Sequence, residues 1–223
     1  MLFSSIPFLY YFLPIVFLVY FAVPKGFKNF VLLMASLFFY GCGEPKYLIL
    51  MSASILIGYG GGLLTGHAKK KGTKRAFLTL SVVLLAGLLG YFKYADFFIA
   101  NFNALTGLSV PLLRVTLPIG ISFYTFQILS YVIDVYRGDT PAQKNLITFA
   151  AYVSMFPQLI AGPIVRYTDV ERELETRTHS VSLAYDGVRR FLIGLSKKIL
   201  LANLFAELCD AFRASDEKSV LFH

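Results

Sequence analysis

The sequence predicts an all-α fold: a polytopic transmembrane helical bundle with re-entrant or broken helices around a central funnel. Its composition is 57% hydrophobic, 16% aromatic and only 15% charged, far from that of an ordinary soluble domain. The charges also cluster between long uncharged runs, each near the roughly 17 to 25 residues that a spanning helix needs. These runs cover residues 1–24, 47–66, 76–92, 115–133 and 145–165.

The placement of basic residues predicts how the bundle is oriented. Lys25 and Lys28 follow the first run, and the basic segment at residues 67–75 follows the run at 47–66. Positive loops stay in the cytoplasm, so the N-terminus is expected outside, with residues 29–41 returning outward as a short helix. The first run lacks a basic leader and is too long for a signal-peptide core, so we expect a retained anchor. Cytoplasmic loops also explain the net charge of +8 better than a nucleic-acid partner does.

Several classes of site are excluded by the residue pattern. Cys42 and Cys209 are far apart, which leaves no disulfide framework and no metal-ligand spacing. The motifs of serine hydrolases, zinc proteases and phosphate-binding loops are all missing. His67, His179 and His223 lie at a loop edge, in a charged segment and at the last position, where none is expected to be a general base. We therefore predict no catalytic residue and no metal site within this sequence.

Four further segments carry structural expectations. Residues 58–66 ("GYGGGLLTG") are rich in small side chains, which permit close contact between helices. Residues 93–113 look too interrupted for a clean span and are predicted to be interfacial or re-entrant. Residues 166–177 mix both charge signs, which predicts a surface helix with ion pairs. Residues 187–209 predict an amphipathic or partly buried helix whose Lys197 and Lys198 snorkel or line a polar space.

A polar stripe runs through "LPIGISFYTFQILSYVIDVYRG", residues 117–138. Its members recur at steps of four and three, which places them on one helix face: Gly120, Tyr124, Gln127, Tyr131 and Asp134. An ionisable residue at bilayer depth costs about 2.5 to 3.5 kcal/mol, so Asp134 calls for polar partners. Two interpretations stay open. The stripe lines a wet funnel, or Asp134 pairs with Arg137 at the interface while Gln127 and the tyrosines are hydrogen bonds of helix packing.

A helix break is predicted in "FPQLIAGPIVR", residues 156–166. Pro157 and Pro163 remove backbone donors, and Gly162 permits unusual backbone angles, so this helix should end before it finishes crossing. Either the break only shapes packing, or it presents backbone groups and Gln158 to a ligand. Arg166 either anchors the end of this element or binds an anionic ligand.

Three motifs, in this order and spacing, resemble the membrane-bound O-acyltransferase family: "YFKYADFF" (residues 91–98), the stripe segment and "FPQLIAGPIVRY" (residues 156–167). The resemblance is closest to the bacterial branch of alginate and other polysaccharide O-acetylases, a branch related to the D-alanyl transfer proteins of teichoic acid modification. "MLFSSIPF" and "GLSKKILLAN" also look like that branch. Family members are much longer, and the histidine usually assigned as catalytic is expected outside this sequence. The chain also has no tryptophan, unlike many members of the branch.

The resemblance implies an O-acyltransferase of the bacterial inner membrane, a multi-pass protein with no bound cofactor. It would take an acyl group, expected to be acetyl, from a cytoplasmic thioester such as acetyl-CoA and pass it to an exported polysaccharide or a periplasmic acyl-accepting protein. Tyr124, Gln127, Tyr131, Asp134 and Gln158 would shape the funnel, and Arg137 and Arg166 would hold the donor side. Residues 1–223 would be the amino-terminal half of one domain and inactive alone. The alternatives are transfer of D-alanyl or another small acyl group to a cell-envelope polymer, a transporter or channel subunit, and a non-catalytic scaffold.

Overall fold

The structure is a computed structural model that describes residues 3–159 and 162–214. These residues form helices and connecting segments and contain no strand, which confirms the all-α prediction. His223 and positions 160–161 of the predicted break lie outside the described residues. The helices are α1 (Leu13–Ala22, preceded by a π-helical turn at Pro7–Phe12), α2 (Lys28–Gly41), α3 (Leu48–His67), α4 (Lys71–Thr106), α5 (Ile121–Arg137), α6 (Leu146–Ser154), α7 (Phe156–Leu159), α8 (Tyr167–Glu175), α9 (Val181–Lys197) and α10 (Asn203–Ala214).

Two helical segments, Pro45–His67 and Lys71–Thr106, are long and apolar enough to cross a membrane. The second has 36 residues, or about 54 Å of helix, which is longer than the hydrocarbon core of a bilayer. The prediction that residues 93–113 are too interrupted for a helical span is therefore wrong for residues 93–106. Asn101 and Thr106 donate hydrogen bonds to carbonyls one turn earlier, so the polar side chains are satisfied without ending the helix. The helix ends at Thr106, and the next residue, Gly107, has a left-handed φ of +72°.

Small residues bring α3 into close contact with α4 and α5. A Cβ atom on Gly58 would collide with Ile128, one on Gly61 with Ser81, and one on Gly62 with Tyr131. These three helices share the main hydrophobic core. The glycine-rich stretch is thus a packing surface, as its composition predicts.

A second, aromatic core joins the amino-terminal helices to α7. It consists of Phe8, Phe12, Val16, Phe39 and Phe156. The Phe12 and Phe156 rings meet edge to face with centroids 5.2 Å apart. This contact, and that of the Phe39 ring with Phe156 at 5.7 Å, hold the short helix α7 against the π-helical turn and α2.

Residues 145–159 run along α5 towards its start, and residues 162–167 lie back beside its second half, in agreement with the predicted helix break. On the outward run, α6 and α7 bring Leu159 against Gly120, at the start of α5. On the return, the Tyr167 ring lies 5.2 Å from that of Tyr131, in the second half of α5. The Gln143 side chain, just before α6, donates a 2.6 Å hydrogen bond to the Tyr167 hydroxyl. Both ends of the segment therefore lie at the same end of α5.

The surface helix α8 is confirmed, but its ion pairs are not. Among the described residues the single ion pair within 4 Å joins Arg213 to Asp210. The acidic side chains of α8 accept hydrogen bonds from uncharged groups instead. Asp169 accepts one from the backbone N–H of Arg166, and Glu171 accepts one from the Thr140 hydroxyl at 2.9 Å.

Beyond α8, α9 and α10 form an exposed arm joined by a π-helical stretch at Lys198–Ala202. Nearly every described residue of the arm is exposed, including Lys197 and Lys198. The Lys198 ammonium donates to the Ser4 hydroxyl at 3.1 Å, which ties the arm to the amino-terminal segment. The arm is amphipathic, the first of the two predicted alternatives, and most of its described surface is exposed on both faces.

Candidate functional site

The polar stripe of α5 is enclosed by the out-and-back segment. Tyr124 and Tyr131 are 0% exposed, Asp134 is 2% exposed and Gln127 is 5% exposed. Gly120 lies just before the helix, not within it. The structure packs the helical part of the stripe against α3, α6 and α8, and Gly120 against the end of α7. The open funnel of the first interpretation is not seen among the described residues.

The break after α6 is held by side chains from three other parts of the chain. In a continuous helix the Phe156 N–H would donate to the Tyr152 carbonyl. It donates instead to the Ser36 hydroxyl of α2 at 3.2 Å. The freed Tyr152 carbonyl accepts the side-chain amides of Gln127 at 3.1 Å and Gln158 at 3.0 Å. Two residues predicted to shape a funnel thus satisfy the backbone of the broken helix.

Gly120 allows the outward run to touch α5. Its φ is +77°, and a Cβ atom at this position would lie 2.6 Å from the Leu159 carbonyl oxygen. An L side chain would be strained by the backbone angle and would also collide with that carbonyl. Glycine at this position fixes how closely α7 approaches the start of α5.

Three phenols meet where the segment returns. The Tyr167 ring lies edge to face against those of Tyr131 and Tyr152, with centroids 5.2 and 5.1 Å apart. The Tyr131 hydroxyl accepts the Gln143 backbone N–H at 2.9 Å, and the Tyr152 hydroxyl donates to the Val165 carbonyl at 2.8 Å. Burial raises the pKa of Tyr167 to about 12, with the Gln143 hydrogen bond opposing the shift, so this phenol is neutral at physiological pH.

Sequence reasoning missed Tyr152, Tyr167 and Gln143. Tyr152 acts mainly through its backbone carbonyl, which every residue has. Its side chain and position in a short apolar helix therefore do not distinguish it in the sequence. Tyr167 belongs to one of the motifs quoted above, but nothing in its neighbours distinguishes it from an interfacial tyrosine. Gln143 lies in a loop, where polar residues are ordinary.

Three buried side-chain oxygens of the described residues have no hydrogen-bond partner: Tyr124 Oη, Asp134 Oδ2 and Thr65 Oγ1. Asp134 does not pair with Arg137, which is exposed at the end of α5, so that part of the second interpretation is wrong. Buried polar atoms are normally hydrogen-bonded, and an orphaned carboxylate oxygen is a point where a polar ligand or water would bind.

The two arginines predicted for the donor side are both exposed and form no ion pair with any described residue. Arg166 is the residue before α8, and its backbone N–H donates to the Asp169 carboxylate at 3.3 Å. A basic cavity of about 490 Å³ lies beside Gly138, just after α5, with Lys74, Lys144 and His67 among its lining residues. No described group of three or more His, Cys, Asp or Glu side chains is placed to hold a metal ion.

Comparison with known proteins gives relatives along nearly all of the chain. No family model and no solved structure matches it. The chain is 43% identical over 222 residues to a protein of Azotobacter vinelandii named probable alginate O-acetylase AlgI, covering 97% of this chain and 44% of that protein. The protein of the same name from Pseudomonas aeruginosa is 43% identical, covering 94% of this chain and 41% of that protein. The peptidoglycan O-acetyltransferase of Helicobacter pylori is 33% identical, covering 94% and 46% respectively.

The chain thus spans less than half the length of the relatives it matches. Those relatives are named as O-acetyl-transferring enzymes, and together with the two long apolar helices they indicate a membrane protein. Over nearly all of its length the chain is homologous to the alginate O-acetylases of the membrane-bound O-acyltransferase family, as its three motifs predict.

Proposed function

We propose that the full-length protein is a multi-pass O-acyltransferase of the bacterial inner membrane. It takes an acetyl group from a cytoplasmic thioester such as acetyl-CoA and transfers it to an exported polysaccharide or a periplasmic acyl-accepting protein. The observation that carries this proposal is the 43% identity, over 97% of the chain, to a protein named as an alginate O-acetylase. The Helicobacter pylori relative, named for peptidoglycan, extends the class of acceptor to cell-envelope polymers.

The orientation proposed is N-terminus outside, with the basic loop at residues 67–75 in the cytoplasm. Arg137 and Arg166 then form the donor side. Their side chains are exposed and unpaired with any described carboxylate, so they are available to the phosphates of an anionic donor.

The stripe and the broken helix form the inner part of the acyl-transfer path in this scheme. Gln127 and Gln158 hold the break through the Tyr152 carbonyl, and Tyr131 fixes the loop that precedes α6. Tyr124 Oη and Asp134 Oδ2 are the polar atoms left for a ligand or for water. The general base is expected outside residues 1–223.

Tyr124→Phe in the full-length protein tests the role of the stripe. The Tyr124 hydroxyl has no partner in the described structure, so its removal should leave the free energy of unfolding unchanged or slightly higher. Acetyl transfer should fall by about tenfold, the loss expected for one well-placed hydrogen bond to the reacting groups. Acetyl transfer is measured as O-acetyl content of the exported polymer and as turnover of labelled acetyl-CoA in inverted vesicles.

Tyr131→Phe is the matched control, because it removes a hydroxyl that accepts a backbone hydrogen bond. It should lower stability as well as activity. If Tyr124→Phe kept the turnover of the unmodified protein, the stripe would not be part of the acyl-transfer path. If the unmodified protein moved polymer without acetyl turnover, the result would favour a transporter.

A further inference from the structure

A cluster of basic side chains lies where the first two helices meet the segment after α8. Lys28, the first residue of α2, is only 8% exposed, although Lys25 three residues earlier is exposed. Its ammonium lies 3.0 Å from His179 Nε2 and 4.7 Å from the centroid of the Tyr20 ring. The Arg177 guanidinium lies 5.8 Å from the same ring. Tyr20 therefore packs against both permanent cations of the cluster.

The cluster is built from long-range contacts. The Arg177 side chain donates a 2.5 Å hydrogen bond to the Asn29 side-chain oxygen, and the Asn29 amide donates to the Thr148 hydroxyl at 2.9 Å. His179 packs edge to face against the rings of Tyr20 and Phe21. These contacts join residues about 150 positions apart in the chain, so the arrangement is part of the fold.

No described carboxylate neutralises this charge. The one ion pair of the described residues is between Arg213 and Asp210, in the exposed arm. A buried or half-buried cation without a counter-ion is unfavourable, and two of them beside each other repel. Lys28 and Arg177 also keep donor hydrogens beyond those used for His179 and Asn29. The cluster therefore has the charge and the donors to bind an anion.

The position of the cluster indicates the source of that anion. Lys28 begins a helix directly after the turn that follows the apolar helix α1, and Phe21 and Phe27 around this turn are exposed at 60% and 61%. Exposed aromatic rings next to basic residues at the end of an apolar helix are typical of the membrane–water interface, where lipid phosphates lie.

We propose that Lys28, Arg177 and His179 bind the phosphate group of an anionic membrane lipid, with the Tyr20 ring packed against the two permanent cations. His179 accepts a hydrogen bond from Lys28 through Nε2, which leaves its Nδ1–H to donate to the phosphate. The bound lipid links the turn between α1 and α2 to the segment after α8. This site is separate from the acyl-transfer path proposed above.

The test uses the full-length protein in nanodiscs of phosphatidylcholine with increasing fractions of phosphatidylglycerol. Native mass spectrometry counts the phosphatidylglycerol molecules that stay bound. Lys28→Met and Arg177→Gln should each raise the fraction needed for half occupancy by about tenfold, the effect of losing one charge-assisted hydrogen bond at the interface. Lys69→Met and Lys70→Gln remove exposed lysines from the basic loop and should leave the fraction needed for half occupancy nearly unchanged.

Because Lys28 is buried, Lys28→Arg is included as a variant that keeps the charge, and it should retain most of the binding. A second arm adds inorganic phosphate to nanodiscs of phosphatidylcholine alone and measures Tm. A rise in Tm that Lys28→Met abolishes, without retention of phosphatidylglycerol in the first arm, would identify free phosphate and overturn the lipid assignment. Equal losses in the cluster variants and the loop controls would overturn the site itself.

Discussion

The break after α6 and the basic cluster around Lys28 handle buried polar groups in opposite ways. At the break, the freed Tyr152 carbonyl and Phe156 N–H both find partners within the described chain: the two glutamine side chains and Ser36. In the cluster, Lys28 and Arg177 contact a tyrosine ring, a histidine and an asparagine, but no described carboxylate.

The difference distinguishes polar groups that must be hydrogen-bonded within the fold from polar groups that a ligand can neutralise. A backbone group inside an apolar core must be satisfied internally, since a bilayer supplies no donor or acceptor there. A cation at the interface can be neutralised from outside. Internal partners therefore mark elements of structure, and unpaired charges or orphaned polar atoms mark the places where we propose that a ligand binds.

Gly120→Ala is expected to have the largest effect on the enclosed region. The left-handed backbone angle and the collision with the Leu159 carbonyl should together lower the free energy of unfolding by about 3 kcal/mol or more. Gly107→Ala is the matched control, with a similar φ of +72° but nothing within 4 Å, and should lower it by about 1 kcal/mol. Both are measured by chemical unfolding in detergent. Equal effects would mean that α7 does not touch the start of α5.

The two glutamines provide the next largest effect. Gln127→Leu or Gln158→Leu alone leaves the Tyr152 carbonyl one donor, so each should lower the free energy of unfolding by about 1 kcal/mol. The double variant removes both donors and should lower it by about 3 kcal/mol, more than the sum. A double-mutant cycle in detergent measures this coupling. Strict additivity would show that the two amides do not share the carbonyl.

Ser36→Ala should have the smallest effect of the three. It removes the acceptor of the Phe156 N–H, which lowers the free energy of unfolding by about 1 kcal/mol. Ser54→Ala is its control, because the equally buried Ser54 hydroxyl only donates to a carbonyl of its own helix. Ser54→Ala should leave the free energy of unfolding nearly unchanged in the same experiment. If the two variants behaved alike, the bond across the break would contribute nothing to stability.

The sequence predicted the elements that depend on local chemistry. The periodic stripe of α5, the glycine contacts of α3 and a break near Pro157 all follow from side chains close in the chain. The exact point of the break does not. Helix α6 ends at Ser154, before Pro157, and the Phe156 N–H donates to the Ser36 hydroxyl, 120 residues away in the chain.

Two predictions failed because composition does not show where a polar side chain points or what it bonds to. Asn101 and Thr106 satisfy themselves on their own helix, so α4 continues through a segment that looks interrupted. One of the two interpretations paired Asp134 with Arg137, three residues on, but the helix places Asp134 inside the core and Arg137 at its exposed end. The Lys28 cluster was not predicted at all, because His179 is 151 residues from its partner.

The path of residues 145–159 and 162–167 along α5 bears on the number of membrane passages expected for this chain. A segment that returns to its starting side adds an even number of passages, so we expect the loop after α5 and the charged helix α8 to lie in one aqueous compartment. Alkaline phosphatase or green fluorescent protein joined after Arg137 and after Glu175 should thus report the same side. A topology counted from hydropathy alone would treat residues 145–165 as one crossing and would assign these two points to opposite sides. The orientation of every later helix would then be reversed.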